Sequence, residues 1–122
     1  MIRSGTTRKT IFIMNYSKGE VILLAYPFTD LSTQKVRPAA VVSADDGKYD
    51  DIFVVPLTSK VHKLAGSEFV LKNWQEAGLN VPTAIKRGCI LIDDKLVIKK
   101  VGRLSENDLV SLNNALKSWL GL

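Results

Sequence analysis

The apolar positions of this chain fall in short segments separated by turn-forming residues, a pattern typical of β-strands. Each segment is four to eight residues long, which suits a strand and is too short for a separate helix. The predicted strands are 21–26, 36–43, 52–57, 68–72, 83–87, 89–92 and 96–101.

The segments between these strands are rich in residues that favour turns. Thr29–Lys35 predicts a loop, Ala44–Lys48 predicts a turn, and Asp93–Lys95 predicts a tight link between the last two strands. Asn73–Ala77 is long enough for one helical turn, which Gly78 can end in the left-handed conformation.

The C-terminal segment has the periodicity of an amphipathic helix. Ser105 is positioned to cap its first amides, and Asp108, three residues later, is a capping-box-like partner. Leu104 and Leu109 occupy the positions of a hydrophobic staple around that cap. The predicted core face consists of Leu109, Leu112, Leu116, Trp119 and Leu120.

Six or seven short strands followed by one helix predict a mainly β (β+α) fold, a small and strongly bent barrel plugged by the C-terminal helix. At 122 residues the chain is the size of one domain. Met14 reads as the start of the folded part, so we expect a single domain over 14–122. Residues 1–13 are interpreted as a disordered basic leader, and contact of this arm with RNA is the alternative.

Charge and cysteine usage exclude several classes of protein. The formal charge is +5, but residues 1–13 supply +3 of it, so the domain itself is only mildly basic. The single cysteine, Cys89, excludes an internal disulfide and a multi-cysteine zinc site. We expect it to be a small buried hydrophobic residue in a cytoplasmic protein. No apolar run approaches the length of a membrane span.

Four sequence blocks, taken in their order and spacing, resemble the PemK/MazF toxin family over roughly residues 17–121. The blocks are Lys18–Leu23, Arg37–Ser43, Val54–Ser59 and Val101–Ser105. They correspond to the family's opening Gly-Glu/Asp-Ile/Val strand, its Arg-Pro, its Pro-Leu-Thr-Ser and the Gly before its last helix.

The resemblance implies an SH3-like barrel and a homodimeric toxin of a type II toxin–antitoxin system. Such a toxin is a metal-independent, sequence-selective endoribonuclease that cleaves single-stranded RNA by attack of the 2′-OH and uses no cofactor. Its partners would be the RNA substrate and a cognate antitoxin protein, which keeps it silent and through which the complex binds DNA.

The resemblance implies two candidates for catalysis. They agree with the rest of the sequence, which offers no paired carboxylates, metal-ligand cluster or cysteine–histidine pair and so leaves a site built from an arginine and a hydroxyl. Arg37 matches the family's functional arginine and would stabilise the charge of the transition state. A surface ion pair is the alternative role of this arginine. Thr58 matches the functional threonine and would donate to a phosphate oxygen. Its alternative role is a turn hydroxyl bonded to its own backbone.

Further residues are candidates for RNA binding. Aromatic rings stack on unpaired bases, although packing of the first loop or a dimer contact is the alternative for the two aromatics. Lysines contact phosphates, and the only histidine is either a proton shuttle or a solvated bystander. The candidates are Tyr26, Phe28, Lys35, Ser59, Lys60, His62, Lys63, Lys86 and Arg87.

One departure from the family's pattern leaves other functions open. Leu91 stands where many members carry an arginine, which Lys86 and Arg87 would have to replace. A non-catalytic module that binds nucleic acid or protein on the same barrel is therefore the alternative function. A structural domain that binds only another protein is a third interpretation, because small barrels support many functions.

Overall fold

The fold is built from seven strands and one long helix. The computed structural model describes residues 15–27, 34–44 and 49–122. The elements are β1 (Glu20–Pro27), β2 (Gln34–Val41), β3 (Asp51–Thr58), β4 (Phe69–Val70), β5 (Ala84–Ile85), β6 (Ile90–Asp93), a 3-10 turn (Asp94–Leu96), β7 (Val97–Arg103) and α1 (Glu106–Leu120). The predicted leader and most of the two predicted turn segments, 29–35 and 44–48, lie outside the described residues.

The strands form one antiparallel sheet in the order β4-β5-β3-β2-β1-β7. Strand β3 has two partners besides β2: its first half pairs with β6 and its last two residues pair with β5. Within the described residues β4 and β7 remain the two ends, so the bent sheet is not closed by hydrogen bonds. The predicted mainly β fold with a C-terminal helix is confirmed.

Alternation of side chains along the central strands divides the core into two clusters. Neighbouring residues Val21 and Ile22 of β1 are both fully buried, but each belongs to a different cluster. The first cluster includes Leu112 and Leu116, so α1 covers this face of the sheet. The second contains residues of β1, β2, β3 and β6, and its apolar side chains reach the functional site described below.

The start of α1 is held by hydrogen bonds to a turn that is distant in sequence, as well as by its own cap. Ser105 caps the helix as predicted, its Oγ accepting from the Asp108 amide at 3.2 Å. The Asp108 carboxylate does not complete a capping box; it accepts the amides of Lys72 and Asn73, each at 2.9 Å. Ser105 Oγ in turn donates to Asn73 Oδ1 at 2.7 Å. Asp108 is only 1% exposed, so its charge is balanced by these amides.

Two glycines allow the turn at 72–78 to pack against β7. Gly78 ends this turn with φ 86°, as predicted. A Cβ atom on Gly78 would overlap the carbonyl of Val101, and one on Gly102 would overlap the carbonyl of Ala77. The two backbones therefore approach as closely as they do because neither position carries a side chain.

Two sequence expectations about burial are wrong. Cys89 is exposed in the segment between β5 and β6, because it lies outside the alternating part of either strand. Leu120 is 53% exposed, although its neighbour Trp119 packs against the first cluster. Among the described residues, no helix has the length and apolar character needed to cross a membrane.

Candidate active site

The pairing of β2 with β3 brings the two candidate catalytic residues to one place. Ala39 is paired with Pro56 in this ladder. Arg37 and Thr58 each lie two residues further along their strands in the direction that keeps them opposite one another. Because side chains alternate along a strand, both share a face with the Ala39–Pro56 pair. Both side chains line the same pocket.

The pocket has a volume of about 240 Å³ and combines an apolar floor with a cationic rim. Among the described residues that line it, Arg37, Lys60 and Lys86 carry positive charge and none is a carboxylate. The remaining lining residues, apart from Thr58, are apolar: Leu24, Pro38, Ala39, Val54, Pro56, Leu57 and Ile90. Such a surface favours an anionic ligand that also carries an apolar or aromatic group.

The Thr58 hydroxyl is held by its own backbone and still has a proton to donate. Its Oγ1 accepts a hydrogen bond from the Lys60 amide at 3.0 Å. The alternative role expected from the sequence, a turn hydroxyl, is therefore observed. Because the oxygen acts as acceptor in this contact, the O–H remains able to donate to a ligand oxygen in the pocket.

The Arg37 guanidinium is exposed at the pocket. Its backbone is paired with Leu24 of β1, which lies on the pocket floor. Over residues 15–27, 34–44 and 49–122, no ion pair or hydrogen bond engages this side chain. The alternative of a surface ion pair therefore finds no support in this part of the chain, and the guanidinium fork is available to a ligand.

Lys86 and Arg87 are adjacent in sequence but serve different surfaces. The Lys86 amide donates to the Pro56 carbonyl at 2.9 Å, and its side chain lines the pocket. Arg87 instead lines a separate shallow pocket beside Trp119 and Glu68. Of this pair, only Lys86 is at the site.

The other RNA-binding candidates lie outside the pocket lining or outside the described structure. Tyr26 pairs with Lys35 through the backbone of β1 and β2, and Phe28 lies outside the described residues. The remaining RNA-binding candidates are exposed but do not line the pocket: Lys35, Ser59, His62 and Lys63.

The Leu91 position, where many family members carry an arginine, also lies outside the pocket lining. Leu91 is paired with Phe53 across β6 and β3, and both side chains are exposed. Its neighbour Ile90 points to the other face and lines the pocket. The departure from the family pattern therefore changes a different surface from the one that holds Arg37 and Thr58.

Sequence reasoning missed the apolar floor of the pocket. Leu24, Val54 and Ile90 read as ordinary core residues, because each lies in an alternating strand. The signal that could have found them is register: Leu24 is opposite Arg37, and Val54 is opposite Ile90. Within the described segments, no three His, Cys, Asp or Glu side chains cluster as ligands for a metal ion.

Comparison with known proteins agrees with this fold. MazF (Form-I) from Deinococcus radiodurans is 22% identical with a TM-score of 0.71, covering 90% of this chain and 100% of that one. An endoribonuclease in complex with its cognate antitoxin, from a mycobacterial species, is 15% identical with a TM-score of 0.70, covering 87% and 95%. The Mycobacterium tuberculosis toxin MazF-mt6 is 19% identical with a TM-score of 0.64, covering 83% and 97%. At these identities the likeness establishes the fold.

No curated protein matches the sequence significantly. The sequence profile of the PemK-like, MazF-like toxins of type II toxin–antitoxin systems, however, matches residues 17–120, which is nearly the whole chain. The profile spans the strands that carry Arg37 and Thr58 as well as the C-terminal helix. The chain therefore belongs to the PemK/MazF family of type II toxins.

Proposed function

We propose that this toxin is a metal-independent, sequence-selective endoribonuclease that cleaves single-stranded RNA. The observation that supports the proposal is the shared pocket of Arg37 and Thr58, with Lys60 and Lys86 at its rim and no carboxylate among the described residues of its lining. A scissile phosphate is an anion flanked by flat, largely apolar bases, and the pocket combines cations with an apolar floor.

The proposed reaction needs only the substrate's own nucleophile. The 2′-oxygen forms a bond to the neighbouring phosphorus, the bond from phosphorus to the 5′-oxygen breaks, and the products are a 2′,3′-cyclic phosphate and a 5′-hydroxyl. The 2′-OH loses its proton and the departing 5′-oxygen gains one. Arg37 would stabilise the dianionic transition state and donate towards the leaving oxygen.

Thr58 would orient the scissile group by donating its O–H to a non-bridging phosphate oxygen. Its oxygen is already fixed by the Lys60 amide, so little side-chain entropy remains to be lost when the ligand binds. Lys60 and Lys86 would contact flanking phosphates. The charged side chains that line the pocket in the described part of the chain are all cations, so the proposal assigns them to charge stabilisation and not to abstraction of the 2′ proton.

The proposal includes a homodimer, with part of the RNA groove contributed by the second copy. The surface that suits contact with the second copy is a groove beside the end of α1, which we call the apolar groove. Two of its apolar lining residues, Phe53 and Leu122, are 45% and 85% exposed. The groove is lined by Lys18, Val42, Phe53, Cys89, Asn113, Leu116, Lys117, Leu120 and Leu122. Contiguous exposed apolar side chains of this kind mark protein interfaces.

A cognate antitoxin is the proposed protein partner. Its disordered acidic tail would fold over the catalytic pocket and neutralise Arg37, Lys60 and Lys86. The charge of the pocket supports this assignment, because an acidic peptide and an RNA phosphate require the same cations. The activity belongs in the cytoplasm, where the RNA substrate is.

The alternative function is a non-catalytic binding module on the same fold. The observation that favours it is Leu91, which replaces a basic residue with an exposed apolar one. Such a module would bind RNA or protein through the same cationic pocket without breaking a bond.

One experiment separates the two functions. Purified protein is incubated in EDTA with a mixture of single-stranded RNAs, beside the Arg37→Ala variant. Cleavage by the wild type alone, with 2′,3′-cyclic phosphate or 3′-phosphate ends, supports the ribonuclease. RNA binding without cleavage across a broad set of sequences supports the module instead.

A further inference from the structure

Glu68 is a carboxylate that the proposed reaction does not use, yet both of its oxygens are engaged. One oxygen accepts the Ala65 amide at 2.9 Å and the other accepts the Arg87 amide, also at 2.9 Å. Glu68 lies immediately before β4, whereas Arg87 follows β5. The side chain thus joins two segments that are far apart in the sequence.

These two segments flank the catalytic pocket. The first, 59–67, leaves Thr58 at the end of β3 and supplies Lys60 to the pocket. The second, 86–89, links β5 to β6 and supplies Lys86. Glu68 therefore bridges the two sources of lysine at the pocket rim.

The backbone around Lys86 is fixed at two consecutive amides. The Lys86 amide donates to the Pro56 carbonyl of β3 at 2.9 Å, and the next amide, that of Arg87, donates to Glu68. The first contact belongs to the sheet, but the second depends on one side chain. Without it, Lys86 would keep the one backbone hydrogen bond by which, among the described residues, the segment between β5 and β6 is held to β3.

The electrostatics of Glu68 agree with this contact. The amide hydrogen bonds from Arg87 and Ala65 hold the pKa of the Glu68 carboxyl below its ordinary value. The charges of Lys86 and Arg87 act in the same direction. The Glu68 carboxylate is thus ionised at neutral pH.

From these contacts we infer that Glu68 is a positioning residue, which holds the 86–89 segment so that Lys86 contacts one phosphate of the bound RNA. The inference rests on the proposed function, because it takes single-stranded RNA as the ligand. Glu68 itself is an anion, so it does not bind the phosphate; it acts through Lys86.

The test measures how RNA affinity depends on salt. A 2′-O-methyl oligoribonucleotide, which lacks the attacking hydroxyl, is titrated against wild type, Lys86→Ala, Glu68→Ala and the double variant over a range of salt concentrations. Loss of one phosphate contact lowers the slope of log affinity against log salt by about 0.7 for a single strand. We expect this decrease for each single variant and no further decrease for the double variant. Glu76→Ala removes the same charge from an exposed position on the 72–78 turn and keeps the wild-type slope.

Amide hydrogen exchange without RNA provides a second measurement. We expect faster exchange at Arg87 and Ala65 in Glu68→Ala, and an intermediate rate in Glu68→Gln, which retains one acceptor oxygen. A slope unchanged from wild type in Glu68→Ala would overturn the inference, as would a double variant that loses two contacts. If the wild type neither binds nor cleaves RNA, the proposed function is overturned as well. If the wild type binds RNA and Glu68→Ala keeps the wild-type slope, only the inference about Glu68 is overturned.

Discussion

Arg37 and Thr58 line the same pocket, and each lies two residues beyond Ala39–Pro56, the last pair of the β2–β3 ladder. The distance between them in sequence is large, but the antiparallel register makes them neighbours on one face of the sheet. Both side chains open into the same cationic pocket. An arginine and a hydroxyl are thus placed by two strands, β2 and β3, and not by a loop.

Loss of the guanidinium should remove most of the activity. Arg37→Ala is expected to reduce RNA cleavage by about 10²- to 10³-fold, the usual loss when one donor to a developing charge is removed. Arg37→Lys keeps the charge without the planar fork, so its cleavage rate should lie between those of the wild type and Arg37→Ala. Initial rates on a fluorogenic single-stranded RNA measure the effect. Lys99→Ala, which removes an exposed cation of β7, is the control and should cleave at the wild-type rate.

The Thr58 hydroxyl should contribute to RNA cleavage both as a hydrogen-bond donor and as an acceptor. Thr58→Val removes the donor and the acceptor for the Lys60 amide with little change in volume, so cleavage should fall by about 10²-fold. Thr58→Ser retains both functions and should keep most of the activity. The same assay tests both variants, and equal rates for valine and serine would remove Thr58 from the catalytic set.

The apolar groove should mediate self-association. Phe53→Asp places a charge in the lining of this groove and is expected to convert a dimer to a monomer, because a buried unpaired carboxylate costs several kcal/mol. Sedimentation velocity gives the mass of each species. Ile98→Asp is the matched control, since Ile98 is 52% exposed on β7 and does not line the groove. A Phe53→Asp protein that remains dimeric would place the interface elsewhere.

The Asp108 carboxylate should be important for stability and not for chemistry. Asp108→Ala leaves the amides of Lys72 and Asn73 without their charged acceptor, so the free energy of unfolding should fall by about 3 kcal/mol. Urea denaturation followed by tryptophan fluorescence measures it. Asn107→Ala, at an exposed position of the same helical turn, should change stability by less than about 0.5 kcal/mol.

The Asp94 carboxylate should oppose folding at neutral pH. Partial burial, followed by the charges of Asp50 and Asp93, raises the pKa of Asp94 above its ordinary value of 3.8. The folded state therefore holds this proton more tightly than the unfolded state, and stability decreases as pH rises through the raised pKa.

Asp94→Asn should accordingly raise the melting temperature at pH 7, by an amount equivalent to less than about 1 kcal/mol because the group is partly solvated. The gain should disappear below pH 3.8, where the wild-type carboxyl is protonated in both states. Calorimetric scans at pH 3 and pH 7 measure it, and an equal gain at both values would contradict the assignment to ionisation.

Local sequence patterns predicted most of the strands and the last helix, because alternation, turn residues and the Ser105 cap act over a few residues. The same patterns could not predict which strands pair. Leu24, Val54 and Ile90 were therefore recognisable as apolar but not as the floor of a pocket. The role of Glu68 and the actual partners of Asp108 also escaped, since each binds a backbone amide more than 15 residues away and no local pattern records such a partner.

The close approach of Gly78 and Gly102 changes how loss-of-function variants of this toxin should be read. Gly102 belongs to one of the blocks by which the family is recognised, next to a charged residue and just before the last helix. Its constraint is steric, because any side chain there would strike the carbonyl of Ala77. A genetic screen for harmless variants would therefore recover Gly102 substitutions beside those of Arg37. The Gly102 variants would be harmless because the chain cannot fold, and the Arg37 variants because a correctly folded chain cannot cleave RNA.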